Sequence, residues 1–153
     1  MKGLDVRRAA LDLLARREHS RYELVLKLVR RFGENRDVYN QEISKLAEEG
    51  LQSDRRLAES YIRSRAKKGQ GPVKILKELA EKKVCDATVS DAYNECDVDF
   101  YGLAKTVAEK KFPALCAEFK SPQMKTLDLK TRARISRFLY QRGFSNEHIA
   151  SLY

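Results

Sequence analysis

The sequence predicts an all-α protein, an elongated and curved tandem array of three three-helix repeats. Three observations carry that prediction. Apolar residues recur three and four positions apart through most of the 153 residues, which places them on helix faces rather than alternating across strands. The 7 Gly and 3 Pro are few and fall between the periodic segments, as in helices joined by short turns. Leu28, Leu79 and Leu139, 51 and 60 residues apart, are each followed three positions later by a base, at Arg31, Lys82 and Arg142. An apolar residue follows at the fifth place after the leucine in the later units, Val84 and Phe144, and at the fourth in the first, Phe32, so the repeat is degenerate but internal to the chain. The repeats span 1–52, 53–97 and 98–153. With 42% apolar residues, 35% charged and no Trp, thin helical layers are expected rather than one thick core. Each unit is too small to stand well alone, and stacking buries the faces left over.

The first helix runs from about Asp5 to Arg17, with Val6, Ala9, Ala10, Leu13 and Leu14 inward. Ser20 and Glu23 form a capping box in which hydroxyl and carboxylate each satisfy an orphan backbone donor. It opens a helix carrying Leu24, Val25, Leu28 and Phe32 and ending at Gly33. The third helix follows Asn35 and Asp37, carries Val38, Ile43, Leu46 and Ala47, and stops at Gly50, with Leu51 expected to pack back on its last turn.

In the second repeat Asp54 is the expected N-cap. Leu57, Ala58, Tyr61, Ile62 and Ala66 form the buried face that follows. Gly69-Gln70-Gly71-Pro72 breaks that helix, and Pro72 suits a first helical position because it has no N–H to lose. Val73, Leu76, Leu79 and Ala80 are the expected inner face of the next helix. Asp86 is expected to cap the third, with Val89, Ala92 and Tyr93 inside. Asn94 to Asp99 is a polar boundary.

In the third repeat Leu103, Ala104, Val107 and Ala108 share a face, and Phe112-Pro113 stops the helix. Residues 114–129 show no clear period, and Ser121-Pro122 forces a turn within them. A helix resumes near Thr131, turns Ile135, Phe138 and Leu139 inward and ends at Gly143. Ser145 caps a short last helix with Ile149 and Leu152.

The net charge of +9 favours an acidic partner, whether nucleic acid, membrane surface or protein. Residues 1–50 carry 11 basic and 9 acidic side chains, 51–97 carry 10 and 8, and 98–153 carry 10 and 5. The excess therefore gathers at the C-terminal end, around Lys125, Lys130, Arg132, Arg134 and Arg137. Arg56, Arg63 and Lys67 form one helical stripe opposite the Leu57–Ile62 face. A solvated helix back and a surface for an anionic partner both fit it.

Chemistry is scarce. Cys85, Cys96 and Cys116 are odd in number and lack a C-x-x-C pair, which points to reduced thiols. Neither a leader nor a membrane span is apparent, so a soluble cytoplasmic protein is expected. His19 and His148 are read as surface or capping residues. Asp97 and Asp99 are too few to hold a cation and read as caps or boundary residues. Gly69-Gln-Gly71-Pro72 lacks the Lys-Ser/Thr of a phosphate loop. Tyr22, Tyr39, Tyr61, Tyr93 and Tyr140 can stack on bases, but most suit packing. Neither catalysis nor a cofactor or metal is expected.

Glu48-Glu49-Gly50-Leu51, then Asp54, Arg56 and Ala58, then Ser64, Arg65, Gly69, Gly71, Pro72, Ile75, Glu78 and Leu79 together resemble the RecX family, the modulators of the RecA recombinase. Ala15 to Ser20 with Glu23 and Leu24 is similar to that family's first-repeat motif. Arg134, Arg137, Phe138, Leu139, Arg142, Gly143 and Phe144 are similar to its third. Gln70 and Leu57 depart from it, standing where aromatic residues are common. The resemblance implies tandem three-helix repeats and a non-enzymatic partner of RecA. Such a protein lies in the groove of the RecA–DNA filament and lowers ATP hydrolysis, strand exchange and co-protease activity, modulating recombinational repair and the SOS response.

Charge and helical position select the candidate contacts. They are Arg16, Arg17 and Arg21; Arg56, Arg63, Lys67, Lys68 and Lys74; and Arg132, Arg134, Arg137 and Arg142. A monomer is expected, with weak contact to single- or double-stranded DNA. The alternative is a stand-alone DNA-binding protein of helix-turn-helix-like units that acts by competing for DNA.

Overall fold

Val6, Ala9, Leu24, Val25, Leu28, Tyr39 and Ile43 form one buried cluster, and three helices are needed to bring them together. These are α1 (Gly3–Arg16), α2 (Arg21–Phe32) and α3 (Arg36–Glu48), which pack on one another pairwise. The computed structural model describes residues 3–113 and 128–153. Cys116, the Ser121-Pro122 turn and Lys125 lie outside the described residues. Six more helices follow among the described residues: α4 (Asp54–Lys67), α5 (Pro72–Glu81), α6 (Asp86–Glu95), α7 (Phe100–Lys111), α8 (Leu129–Gln141) and α9 (Asn146–Ala150). The described residues contain no strand, and the all-α prediction holds.

The chain divides into two compact units, and the cuts fall within α4 and α5. One unit holds Met1–Tyr61 and Leu79–Glu95; the other holds Ile62–Glu78 and Cys96–Tyr153. Hydrogen bonds show what ties each together. In the first, the end of α5 sits on the start of α2. Ser20 Oγ, the cap of α2, donates to the carbonyl of Lys82 at 2.8 Å, and the Arg21 N–H donates to Asp54 Oδ1 at 2.9 Å. In the second, the end of α8 sits on the start of α5. The N–H groups of Gly71 and Val73 donate to the carbonyls of Arg142 and Gly143, each at 2.8 Å. The start of a helix thus meets the close of a later one in both units, through the Ser20 side chain in the first and through backbone alone in the second. The second unit also holds α7, α8 and α9, which pack pairwise around Phe100, Ala104, Ala108, Ile135 and Leu139.

Helix ends explain the repeat. After Leu79 and Leu139 the chain closes in the same way. The N–H five residues on, of Val84 or Phe144, returns to that leucine's carbonyl at 3.4 and 3.1 Å, with a positive φ between them at Lys83 (58°) or Gly143 (96°). This is a Schellman closure. After Leu28 the chain differs: Phe32 is still helical and the positive φ comes at Gly33. The first copy is therefore out of step by one residue.

Several local expectations need correcting. Asp54 does not cap α4. Ser53 does, its Oγ accepting the Arg56 N–H at 3.1 Å, because Asp54 is engaged by Arg21 and by Gln52 at 2.9 Å. Cys85 rather than Asp86 precedes α6, with Sγ 3.0 Å from Thr88 Oγ1. The inner face of α5 is Ile75 and Leu79. Val73 is 55% exposed and Ala80 is exposed, because the Val73–Gly143 bond fixes the helix with Pro72, Ile75 and Leu79 downward. Leu51 remains exposed although its N–H closes α3 on Leu46 at 2.9 Å. His19 and His148 are buried rather than on the surface. Phe100 joins the core, and Tyr39, fully buried, donates to the Gly33 carbonyl at 2.6 Å.

Two substitutions test the closures. A Cβ at Gly71 would lie 2.3 Å from the backbone of Gly143 and Phe144. Gly71→Ala should therefore part the two backbone segments, break their two hydrogen bonds and cost about 3 kcal/mol in urea unfolding. Lys83→Gly should instead stabilise by about 0.5–1 kcal/mol, since it removes a side chain from the left-handed region.

Candidate partner interface

The predicted cations meet different fates. In the first unit most are used inside the fold. Arg21 donates to the Asn40 carbonyl at 2.8 Å and also to Ser44 Oγ, tying α2 to α3. Arg56 pairs with Glu18 at 2.6 Å and donates to the carbonyls of Gly50 and Leu51 at 3.0 and 3.2 Å. It thus places a cation where α3 ends, and the helix dipole favours it there. Arg17 pairs with Glu23 at 2.8 Å and donates to the Glu18 carbonyl at 2.8 Å. Arg16 is exposed at the end of α1.

Glu23 collects three donors: Arg17, the Ser20 N–H at 3.0 Å and Lys82 at 3.1 Å. Burial opposes its ionisation, but these donors prevail and hold its carboxyl at about 2. Beside it, His19 faces Arg17 O with Nδ1 at 3.0 Å and Lys27 Nζ with Nε2 at 2.9 Å. That pairing requires a neutral ring, donating from Nδ1 and accepting at Nε2. Burial lowers its pKa in the same sense, against the pull of the Arg17 carbonyl.

In the second unit the cations come together. Lys67 and Lys68 end α4 and are exposed. Arg142, 74 residues later, reaches back and donates to the Lys68 carbonyl at 2.6 Å. Lys110 and Lys111, at the end of α7, complete the group. These five cations rim a hollow of about 440 Å³ whose apolar walls are Leu103, Val107 and Phe138. The Lys111 ammonium stands 5.7 Å from the centre of the Phe138 ring. An adjoining hollow of about 590 Å³ shares Lys67, Leu103 and Thr106, and adds Arg63, Asp97 and Asp99 to its lining. Asp99 also caps α7, accepting the Gly102 N–H. The stripe read from sequence therefore divides: Arg56 is tethered to Glu18 and to backbone, while Arg63 and Lys67 face the hollows.

The remaining candidates are dispersed. Lys74 is exposed on α5. On α8, Arg132 lies 5.2 Å from the Tyr153 ring centre and Arg134 lies 5.5 Å from that of Phe112, while Arg137 is exposed. The sequence reading missed Lys110 and Lys111. The available signal was a lysine pair at a helix end, the pattern of Lys67-Lys68.

Such a surface can attract an anion, seat a small apolar group and order both. It offers no nucleophile with its base. Among the described residues, no group of three or more His, Cys, Asp or Glu is placed to hold a metal, and no helix is long and apolar enough to cross a membrane. Cys85 and Cys96 are free thiols.

Comparisons with known proteins converge. The family models described as the second and third three-helix domains of RecX match residues 53–92 and 97–152. The regulatory protein RecX of Halorhodospira halophila is 39% identical over 144 residues, covering 94% of this chain and 83% of its own. That of Pseudomonas putida is 40% identical over 147 residues, covering 96% and 88%. The crystal structure of RecX from Lactobacillus salivarius is similar with a TM-score of 0.77 at 25% identity, covering 98% of this chain and 93% of that one. A second RecX crystal structure, at 21% identity and a TM-score of 0.76, shares the fold.

The buried polar cluster sets a pH dependence. An unfolded chain protonates histidine below about pH 6.5, and His19 in the fold resists protonation. Stability should therefore begin to fall there as pH drops. Glu23 adds a second loss as pH falls from its ordinary 4.5 towards about 2, worth about 3 kcal/mol in total. In urea unfolding followed across pH, Glu23→Gln should remove the second loss and retain the first.

Proposed function

We propose a function from one premise: the chain belongs to the RecX family of regulatory proteins. It acts as a non-enzymatic partner of RecA, lying in the groove of the RecA–DNA filament and bridging neighbouring subunits. There it lowers ATP hydrolysis, strand exchange and co-protease activity, and so modulates recombinational repair and the SOS response. Its repeats at 1–52, 53–97 and 98–153 are the units that meet successive parts of the filament. The mechanism is differential affinity: a body that binds one filament form better than another shifts the filament towards it.

The observation that supports this reading best is the gathering of Lys67, Lys68, Lys110, Lys111 and Arg142 around an apolar-walled hollow. Such a surface suits acidic filament surface and bound phosphate together. Arg16, Arg63, Lys74, Arg134 and Arg137 are further exposed contacts. Arg17, Arg21 and Arg56 contribute by shaping the first unit, and Arg132 by its place against Tyr153. The excess of charge in residues 98–153, with 10 basic and 5 acidic side chains, favours a second reading, a protein that competes for DNA without touching RecA.

ATP hydrolysis by RecA filaments on single-stranded DNA, titrated with this protein at fixed salt, separates the two. Inhibition should be complete well below the RecA concentration. The double variant Lys68→Glu/Lys110→Glu, at exposed positions, should need at least about tenfold more protein for the same inhibition, because repulsion replaces attraction at a charged interface. Inhibition only at levels that saturate bare DNA would establish competition instead.

A further inference from the structure

A different hollow lies between α8 and α9. It measures about 450 Å³ and is lined by Arg137, Tyr140, Asn146, Ile149, Ala150 and Tyr153, with Ser136 at its edge. None of the lining side chains is a carboxylate. Tyr140 is 68% exposed, the most exposed tyrosine among the described residues, while Tyr22 and Tyr101 stand at 37% and 43%. Tyr153 is fixed: its hydroxyl donates to the Arg132 carbonyl at 2.9 Å and lies 2.8 Å from Ser136 Oγ, and Arg132 stacks near its ring. The hollow thus has one anchored aromatic wall and one ring turned to solvent.

The helix carrying Tyr140 also carries exposed cations at Lys130, Arg134 and Arg137. Their spacings of four and three residues place them on one side of α8, about 4.5 to 6 Å apart along its axis. A row of cations leading to an exposed ring is the arrangement that holds single-stranded nucleic acid, with phosphates on the basic row and a base stacked on the aromatic.

We propose that this hollow receives one base of a single strand, stacked on Tyr140, while Arg137 and Arg134 hold the adjoining phosphates. The charge row favours a nucleic acid over the apolar side chain of a protein, which would use the aromatic and aliphatic walls but leave the cations unmatched. Recognition is by stacking, so it tolerates any base sequence. The site shares no lining residue with the hollow at the ends of α4 and α7 and needs no RecA.

The chain has no Trp, so Tyr140→Trp installs a unique reporter at the site. A short oligothymidylate should quench its fluorescence saturably, and an abasic strand of the same length should not. By competition binding, Tyr140→Phe should keep the wild-type affinity within about twofold. Tyr140→Ala should weaken binding of the base-bearing strand about tenfold while leaving the abasic strand unchanged. Arg137→Ala should weaken both strands and flatten the salt dependence by roughly the one phosphate it holds. Equal binding of abasic and base-bearing strands, or a Tyr140→Ala variant of unchanged affinity, would overturn the proposal. So would a Tyr140→Ala variant that loses RecA inhibition while binding the oligonucleotide normally, which would make the hollow a protein contact. Because RecA is absent from the binding assay, this result and that of the RecA titration are separately readable.

Discussion

At Gly71 and Gly143 two main chains touch with no side chain between them. A Cβ on Gly71 would fall 2.3 Å from the Gly143 carbonyl carbon, and one on Gly143 would fall 2.4 Å from the Cβ of Lys74. This approach lets two N–H groups of one segment reach two carbonyls of the other. It also fixes the backbone of Arg142, whose guanidinium then reaches the Lys68 carbonyl where α4 ends. The grouping of cations in the second unit therefore rests on a contact that only glycine permits. Removing solvent from between two hydrogen-bonded backbones also leaves little slack, since neither chain can shift without stranding a buried donor.

The basic residues divide by what lies near them. Where carboxylates and backbone carbonyls are close, as around Arg17 and Arg56, the cations are consumed in holding the fold and are paired with Glu23 and Glu18; Arg21 is consumed as well, by the Asn40 carbonyl and Ser44 Oγ. Where two helices end side by side, as at Lys67-Lys68 and Lys110-Lys111, both dipoles favour positive charge, and among the described residues no ion pair cancels it. Positive potential accumulates there as a by-product of good helix termination. A surface that is useful for binding anions and a surface that stabilises helix ends are the same surface.

How much of this was legible in the sequence depends on the range of the interaction that decides each feature. The capping box at Ser20 and Glu23, the stops at Gly33, Gly50 and Gly143 and the Pro72 start depend on neighbours within a few residues, and sequence reading found them. The N-cap of α4 was misassigned because Asp54 is drawn away by Arg21, 33 residues earlier. The inner face of α5 was rotated because Val73 bonds to Gly143, far along the chain. Burial of His19 rests on partners both near and distant, including the Gln52 amide on its carbonyl at 3.3 Å. The positive stripe through Arg56, Arg63 and Lys67 was visible, but not that Arg56 would be taken up by Glu18. Lys110 and Lys111 gain significance only when α7 is placed beside the end of α4.

The compact units do not coincide with the sequence repeats, because their cuts pass through α4 and α5. What is inherited as a module is thus not what condenses as a module. A gene duplication copies whole helices, yet the helices of the second copy are shared out between the two compact units. An array built this way cannot shed a terminal copy cleanly: the loss would leave the remaining helix with one face made for a neighbour. Gain or loss of a copy should therefore be rare in the history of such a chain, and divergence of the copies, as in the shifted closure after Leu28, the easier course.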